Sequence, residues 1–295
     1  MSSEILLVTG ASGHLGRRVL DTLLARSPAP RLIATTRTPE ALAAYAARGV
    51  EVRRADFDDP ATLGPAFAGA TRALLISTDV IDRPGRRITQ HRNAVAALAA
   101  STVGHVVYTS LPRAPDSPVT IASDHAQTEH ALAETSLDFT LLRNNVYADY
   151  LLLSLPGAVA SGTLVDAKGG AGVAYVTRDD CARTAAGALA GRHGGRTTVD
   201  VTGPAAVTGA DLAALATLIS GKPVTYTSVP PAALVDGLVA HGVPRPIAEL
   251  TASFDAAAAR GDLATVTSAV RHYAGVEPTC VRAFLETQRA ALRGA

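Results

Sequence analysis

The chain has 295 residues, 47% of them hydrophobic, with two cysteines, no tryptophan and a formal net charge of +1 at neutral pH. That length accommodates one large domain or two unequal ones, and the hydrophobic share supports a sizeable core. The near balance of 27 basic and 26 acidic residues gives no electrostatic reason to expect nucleic acid or an anionic membrane as a partner.

No apolar run reaches the roughly 18 residues that cross a bilayer. The first strand starts at Ile5, too early to leave room for a signal peptide. Cys181 and Cys280 are too few for a disulfide framework or a zinc cluster and read as free thiols in a reducing cytoplasm. Abundant Ala and Arg point to a GC-rich bacterial genome.

Ile5-Leu6-Leu7-Val8-Thr9 is a continuous apolar run. Gly10-Ala11-Ser12-Gly13-His14-Leu15-Gly16 follows at once, then apolar residues at helical spacing through Leu24. This predicts a buried strand, a glycine turn and a helix. Gly10 lets the chain turn out of the strand, Gly13 lets a pyrophosphate approach the backbone, and Gly16 lets the helix sit close to the strand. The free N–H groups and the positive end of the helix dipole then face the phosphates. His14 either touches the phosphates or faces water.

Further strands are predicted at Arg31–Thr36, Val50–Arg54, Ala73–Ser77, Val106–Ser110 and Phe139–Arg143. Helices intervene, with Thr38-Pro39-Glu40 and Asp58-Asp59-Pro60 as caps and longer segments near 86–100 and 124–134. Strict alternation of this kind predicts a Rossmann-like, doubly wound parallel α/β sheet with helices on both faces. After Arg143 the rhythm changes. A less regular stretch runs to the glycine-rich turn 169–172, a helix covers 179–189, and 197–201 is a last sheet strand. Helices near 231–250 and 278–292 predict a small, mostly helical C-terminal substrate domain. The expected division is residues 1–144 with about 173–203 for the dinucleotide domain, and about 145–172 with 204–295 for the smaller one.

An NAD site usually carries Asp or Glu at the end of the second strand. Here Thr35-Thr36-Arg37-Thr38 stands there. Arg37 is a charged fork suited to a 2′-phosphate, so the expected cofactor is NADPH. The alternative is a solvated arginine at a strand end. Asp56 and Phe57 flank the adenine or simply form a turn.

Most short-chain reductases protonate their substrate with a Tyr four residues before a Lys. The only lysines are Lys168 and Lys222, preceded at that spacing by Leu164 and Leu218. On the helix after Ser110, His125 and Glu129 share a face at i, i+4. They are either a proton-handling pair or a plain helix-face hydrogen bond. A ketone that accepts hydride needs a positioned acid. A quinone gives a resonance-stabilised anion that water can protonate.

The run Thr9 to Gly16, Ser77, Gln90-His91-Arg92-Asn93, Tyr108-Thr109-Ser110-Leu111, Asp124-His125 with Thr128-Glu129, and Thr140-Leu141-Leu142-Arg143-Asn144 together resemble the type-two NADPH:quinone oxidoreductases. These are NmrA-like atypical short-chain reductases, akin to triphenylmethane reductase. The likeness spans about 5–178. It implies an NADPH domain, a small C-terminal domain and a quinone cleft between them. Carried over by position, Gly10, Ala11, Ser12, Gly13, His14, Leu15 and Gly16 hold the pyrophosphate and Arg37 the 2′-phosphate. Ser77 and Thr78 lie along the cofactor, Thr109 and Ser110 below the nicotinamide, and Asn144, Asn145 and Tyr147 at its end. Relatives often place a glycine and a large aromatic at Asn145-Val146, so Val146 leaves the acceptor open. Tyr147 donates a hydrogen bond to the acceptor oxygen or merely lines the cleft.

Three functions compete on this reading. One is an NADPH-dependent quinone reductase with no flavin and no metal. The second is a non-catalytic NADP(H) sensor that regulates a partner. The third is a carbonyl or imine reductase with Tyr147 or His125 as acid. The expected partner is a small molecule, with a homodimer as the assembly.

Overall fold

The computed structural model describes residues 4–81, 83–191 and 193–293. The first half alternates strand and helix. β1 (Ile5–Val8), α1 (His14–Leu24) and β2 (Arg31–Thr36) lead to the short α2 (Ala43–Ala46). β3 (Glu51–Arg54), α3 (Leu63–Phe67), β4 (Arg72–Leu75), α4 (Arg86–Ala99), β5 (His105–Ser110), α5 (Ala122–Ala133) and β6 (Asp138–Asn144) follow. Next come α6 (Leu151–Ser161), β7 (Thr163–Asp166), α7 (Arg178–Ala190), β8 (Arg196–Val201), α8 (Gly209–Ser220) and β9 (Thr225–Ser228). The chain ends in α9 (Pro231–Ala240), α10 (Arg245–Ala259), α11 (Ala269–Ala274), α12 (Val281–Thr287) and α13 (Arg289–Arg293).

Seven strands form one sheet in the order β3-β2-β1-β4-β5-β6-β8. Every neighbouring pair is parallel. This is the Rossmann arrangement, and it explains the two-sided apolar strands. Alternate residues point to opposite faces. Leu6, Val8 and Leu74 pack with Val19, Leu23 and Leu189 of α1 and α7 on one face. Leu7, Ala73 and Leu75 pack with Phe67, Val95, Leu98 and Leu132 on the other. Both faces are therefore buried, as a parallel sheet requires.

A second, two-stranded parallel sheet joins β7 to β9. Leu155, Leu164, Leu212, Ile219, Leu285 and Leu292 close a separate core around it.

The sequence reading misses three features here. α6 lies in the stretch read as irregular, because Pro156 and Gly157 look like breakers. Leu151, Leu155, Ala158 and Val159 nevertheless bury one helical stripe, and that packing overrides the proline. β7 and β9 also go unread, since Thr-Tyr-Thr-Ser of β9 carries no buried run. The expected caps Thr38 and Asp59 make no side-chain cap bond, and each opens a 3-10 turn instead.

Candidate active site

Seven parallel strands put all their carboxyl ends on one edge, and ligands of such sheets bind there, where the strand order reverses. That reversal falls between β1 and β4. Thr9 joins the two strand ends. Its hydroxyl donates to Leu74 O at 3.0 Å and accepts from Ile76 N at 3.0 Å.

The glycine turn sits over this gap. Gly10 has φ +57°, a left-handed conformation that favours glycine. A Cβ on Gly16 would lie 2.4 Å from Gly10 O and 2.7 Å from Ala11 Cα, so α1 rests directly on the turn. Gly13 caps α1 with no side-chain bond. Gly10, Gly13 and His14 are exposed, while Ala11, Leu15 and Gly16 are buried. Ala11 N is used by Thr35 O at 3.1 Å and Gly13 N by Gly10 O at 3.0 Å. The first-turn amides of α1 have no intrahelical partner, which is what makes a helix start an anion cradle.

Arg37 is exposed directly after β2. The Ser12 and Thr36 hydroxyls meet at 2.8 Å and tie the glycine turn to that strand end. Beyond β3, Asp56 and Asp59 close a small turn. Asn93 Nδ2 donates to Phe57 O at 2.9 Å, and Arg86 and Gln90 hold the Asp58 carboxylate at 2.6 and 2.8 Å. Those bonds keep Asp58 below the usual carboxylate range, with Arg86 the main cause. Asp58 is therefore spent on α4 and caps no helix.

Ser77 and Thr109 interlock. Thr109 Oγ1 accepts Ser77 N at 2.9 Å and donates to Ser77 Oγ at 3.3 Å. The Ser77 hydroxyl hydrogen is thus left for another acceptor. Thr78 N donates to His91 Nε2 at 3.0 Å. Thr128 spends its one hydrogen on Asp124 O, so it must accept from His91 Nδ1–H at 2.8 Å. That assigns the tautomer. Burial, aided by the Arg87 charge, lowers His91 to about 3.

His125 lies buried in the first turn of α5. It is 4% exposed. Its Nε2 faces Arg87 Nη2 at 2.8 Å and its Nδ1 the Tyr108 hydroxyl at 2.9 Å. Arg87 can only donate, so Nδ1 carries the ring hydrogen. Burial first, then the Arg87 charge, holds His125 well below its ordinary range. A sealed, neutral imidazole beside a guanidinium is a poor proton donor. The expected His125–Glu129 pair is also absent. Glu129 instead receives Ser110 Oγ at 2.6 Å and a two-pronged Arg143 at 2.9 and 2.6 Å. Ser110 therefore presents lone pairs, not a hydrogen.

Asn144 ends β6 and Asn145 follows it, with opposite fates. Asn145 is consumed by its fold, donating to Leu263 O at 3.0 Å and accepting Val146 N at 2.8 Å. Asn144 Nδ2 donates to the Tyr147 hydroxyl at 3.2 Å. Its Oδ1 is buried without a partner among the described residues, an open acceptor at the strand end. Burial, with Cys181 next, pushes the half-buried Tyr147 phenol far above its ordinary value, so it stays protonated. Arg178 covers its ring, and no sequence reading singled that arginine out.

Lys168 pairs with Asp166 at 2.7 Å and Tyr175 at 3.5 Å, and none of the three stands on α5. Among the described residues no group of His, Cys, Asp and Glu is arranged to hold a metal.

Residues 10–192 match the NAD(P)H-binding family. The chain belongs to that family, and within it to an oxidoreductase group that the next relatives define. Quinone oxidoreductase 2 of Escherichia coli is 37% identical over 88% of this chain and 90% of its own length. The structure of an Escherichia coli NADPH-dependent quinone oxidoreductase with NADPH superposes at a TM-score of 0.91, with 35% identity over 96% of this chain and 99% of that one. Triphenylmethane reductase of Citrobacter sp., solved with NADP(H), gives a TM-score of 0.89, 33% identity and the same two coverages.

Proposed function

We propose that this protein is an NADPH-dependent reductase that passes hydride directly to a quinone-like acceptor. One observation carries the reading. The side chains of α5 where a reductase would keep its acid are already spent, His125 on Arg87 and Tyr108, Glu129 on Ser110 and Arg143. An acceptor whose reduced form needs no protein acid suits such a site. The names of the two bacterial relatives, a quinone reductase and a dye reductase, support the same class.

The residues present fit the dinucleotide. The bare amide of Ser12 and those of the first turn of α1, from His14 to Gly16, would take the pyrophosphate, with the His14 side chain at the rim, and Arg37 the 2′-phosphate. Ser77, with its free hydroxyl hydrogen, and Thr78 would lie along the ribose, with Thr109 behind Ser77. Ser110 and the open Asn144 Oδ1 would accept from the carboxamide. Asn145 would support that end through the backbone. When bound, NADPH supplies the hydride. Tyr147 keeps its hydrogen for the acceptor oxygen, because its own oxygen already accepts from Asn144. Tyr147 gives only a hydrogen bond and keeps its proton; the proton that turns the reduced acceptor anion into the hydroquinone comes from water.

The test is a comparison of acceptors. A benzoquinone should be reduced by NADPH with saturation in both reactants, and an unactivated dialkyl ketone should not. Turnover of the ketone at a similar kcat/KM would remove the central reason for the proposal.

A further inference from the structure

The first turn of α7 lies between the cofactor helix and the turn that carries Tyr147. Thr177 caps α7, accepting from Asp180 N. Asp179 reaches α1 through Arg18 at 2.7 Å. Arg178, between them, reaches the other way. Its main-chain N–H donates to Asp149 Oδ2 at 2.9 Å, and its Nη1 lies 3.3 Å from Asp149 Oδ1. The same guanidinium carbon stands 5.1 Å from the centre of the Tyr147 ring and 4.7 Å from that of Tyr150. The two rings are 5.8 Å apart and tilted by 35°. One planar cation thus serves two aromatic faces and a carboxylate, a task for arginine that lysine performs poorly.

The backbone here is already fixed. Ala148 N donates to Val176 O at 2.9 Å and Val176 N to Val146 O at 3.1 Å. What the backbone leaves open is the direction of the tyrosine rings. A phenol hydrogen lies near its ring plane. With Asn144 Nδ2 filling one side of the oxygen at 3.2 Å, the hydrogen is left to the other side. Ring direction therefore sets proton direction.

We propose that Arg178 is the positioning residue of the acceptor site: held by Asp149 and stacked on Tyr147 and Tyr150, it aims the Tyr147 hydroxyl at the acceptor while its neighbour Asp179 ties the same helix to the cofactor side. This rests on the reading that Tyr147 faces the acceptor.

The experiment is a double-mutant cycle on turnover of a benzoquinone by NADPH, using Arg178→Gln, Tyr147→Phe and the double variant, with Arg178→Lys as the conservative change. Arg178→Gln should lower kcat about tenfold, the size of one desolvated cation–π contact. NADPH affinity, read by nicotinamide fluorescence, should stay within about twofold of the unmodified protein, because no cofactor contact is removed. Arg178→Lys should recover only part of kcat. The double variant should be no slower than Tyr147→Phe alone, since Arg178 acts through that ring.

If Tyr147→Phe is slow but Arg178→Gln is not, or if the two losses multiply, the positioning role is overturned and the Tyr147 reading survives. If Tyr147→Phe turns over normally, the Tyr147 reading itself fails, and the positioning role fails with it. Should Arg178→Gln not fold, Asp149→Asn loosens the same guanidinium and must give an intermediate fall in kcat; an unchanged kcat overturns the proposal.

Discussion

Arg37 is exposed at the end of β2, with the Ser12–Thr36 hydroxyl contact beside it. Replacing it by Asp puts a carboxylate where a 2′-phosphate is to bind. NADPH affinity should drop by about 10- to 100-fold, the scale of one charged hydrogen-bonded contact, while NADH affinity holds or rises. Fluorescence titration with both cofactors checks this, and equal NADPH binding would contradict it. Glu129 offers a second residue-level test. Its side chain is 9% exposed and faces Arg143 at 2.6 Å. Glu129→Leu leaves that guanidinium unpaired and frees the Ser110 hydrogen. Stability in urea should fall by roughly 2–4 kcal/mol, discounted from a fully buried pair because Arg143 is partly solvated.

At the scale of elements, the turn from β1 into α1 is the most constrained feature. Gly16→Ala would drive a methyl against Gly10 O and Ala11 Cα, both backbone atoms. α1 must then lift, costing about 1–3 kcal/mol and weakening NADPH together with stability. Thermal unfolding with and without NADPH would show both losses, and an unchanged midpoint would contradict the packing described here. This turn was legible in the sequence because its physics is local: three glycines at fixed spacing between an apolar run and a helical one. The sheet was legible for a similar reason, since two-sided burial leaves continuous apolar strands such as Leu74-Leu75. Other features depend on contacts distant in sequence. Arg143 meets Glu129 across 14 positions, Arg87 meets His125 across 38, and Arg178 meets Asp149 across 29. Spacing alone paired His125 with Glu129, but the stronger cations took each of them. The α6 stripe was hidden by Pro156, β9 by its polar composition, and β7 by its shortness, four residues with only Leu164 and Val165 apolar.

At the scale of the molecule, two apolar cores of the main sheet and one around β7 and β9 carry the fold. No helix among the described residues is long and apolar enough to cross a membrane. Buried neutral histidines make the stability depend on acid. His91, lowered to about 3 by burial and Arg87, and His125, held well below its ordinary value by the same causes, take up protons in the unfolded chain first. Their contribution is therefore complete above an unfolded pKa of about 6.5 and shrinks as the pH falls toward 3. Each ring weakens the fold by about 1.4 kcal/mol per pH unit at most in that window. Urea midpoints at pH 7.5 and 5 test this. His125→Asn should flatten the slope by about one proton, and an unchanged slope would show that the ring is protonated when folded.

The central claim is that hydride leaves a dinucleotide held at the β1–α1 turn and reaches a quinone with no protein acid in the step. Anaerobic single-turnover oxidation of bound NADPH by a benzoquinone tests it most directly, run with ordinary and C4-deuterated NADPH in light and heavy water. The account predicts that the nicotinamide deuterium slows the decay and that heavy water changes it little. Decay no faster than without protein, or a dominant effect of heavy water with none from the nicotinamide label, would contradict it.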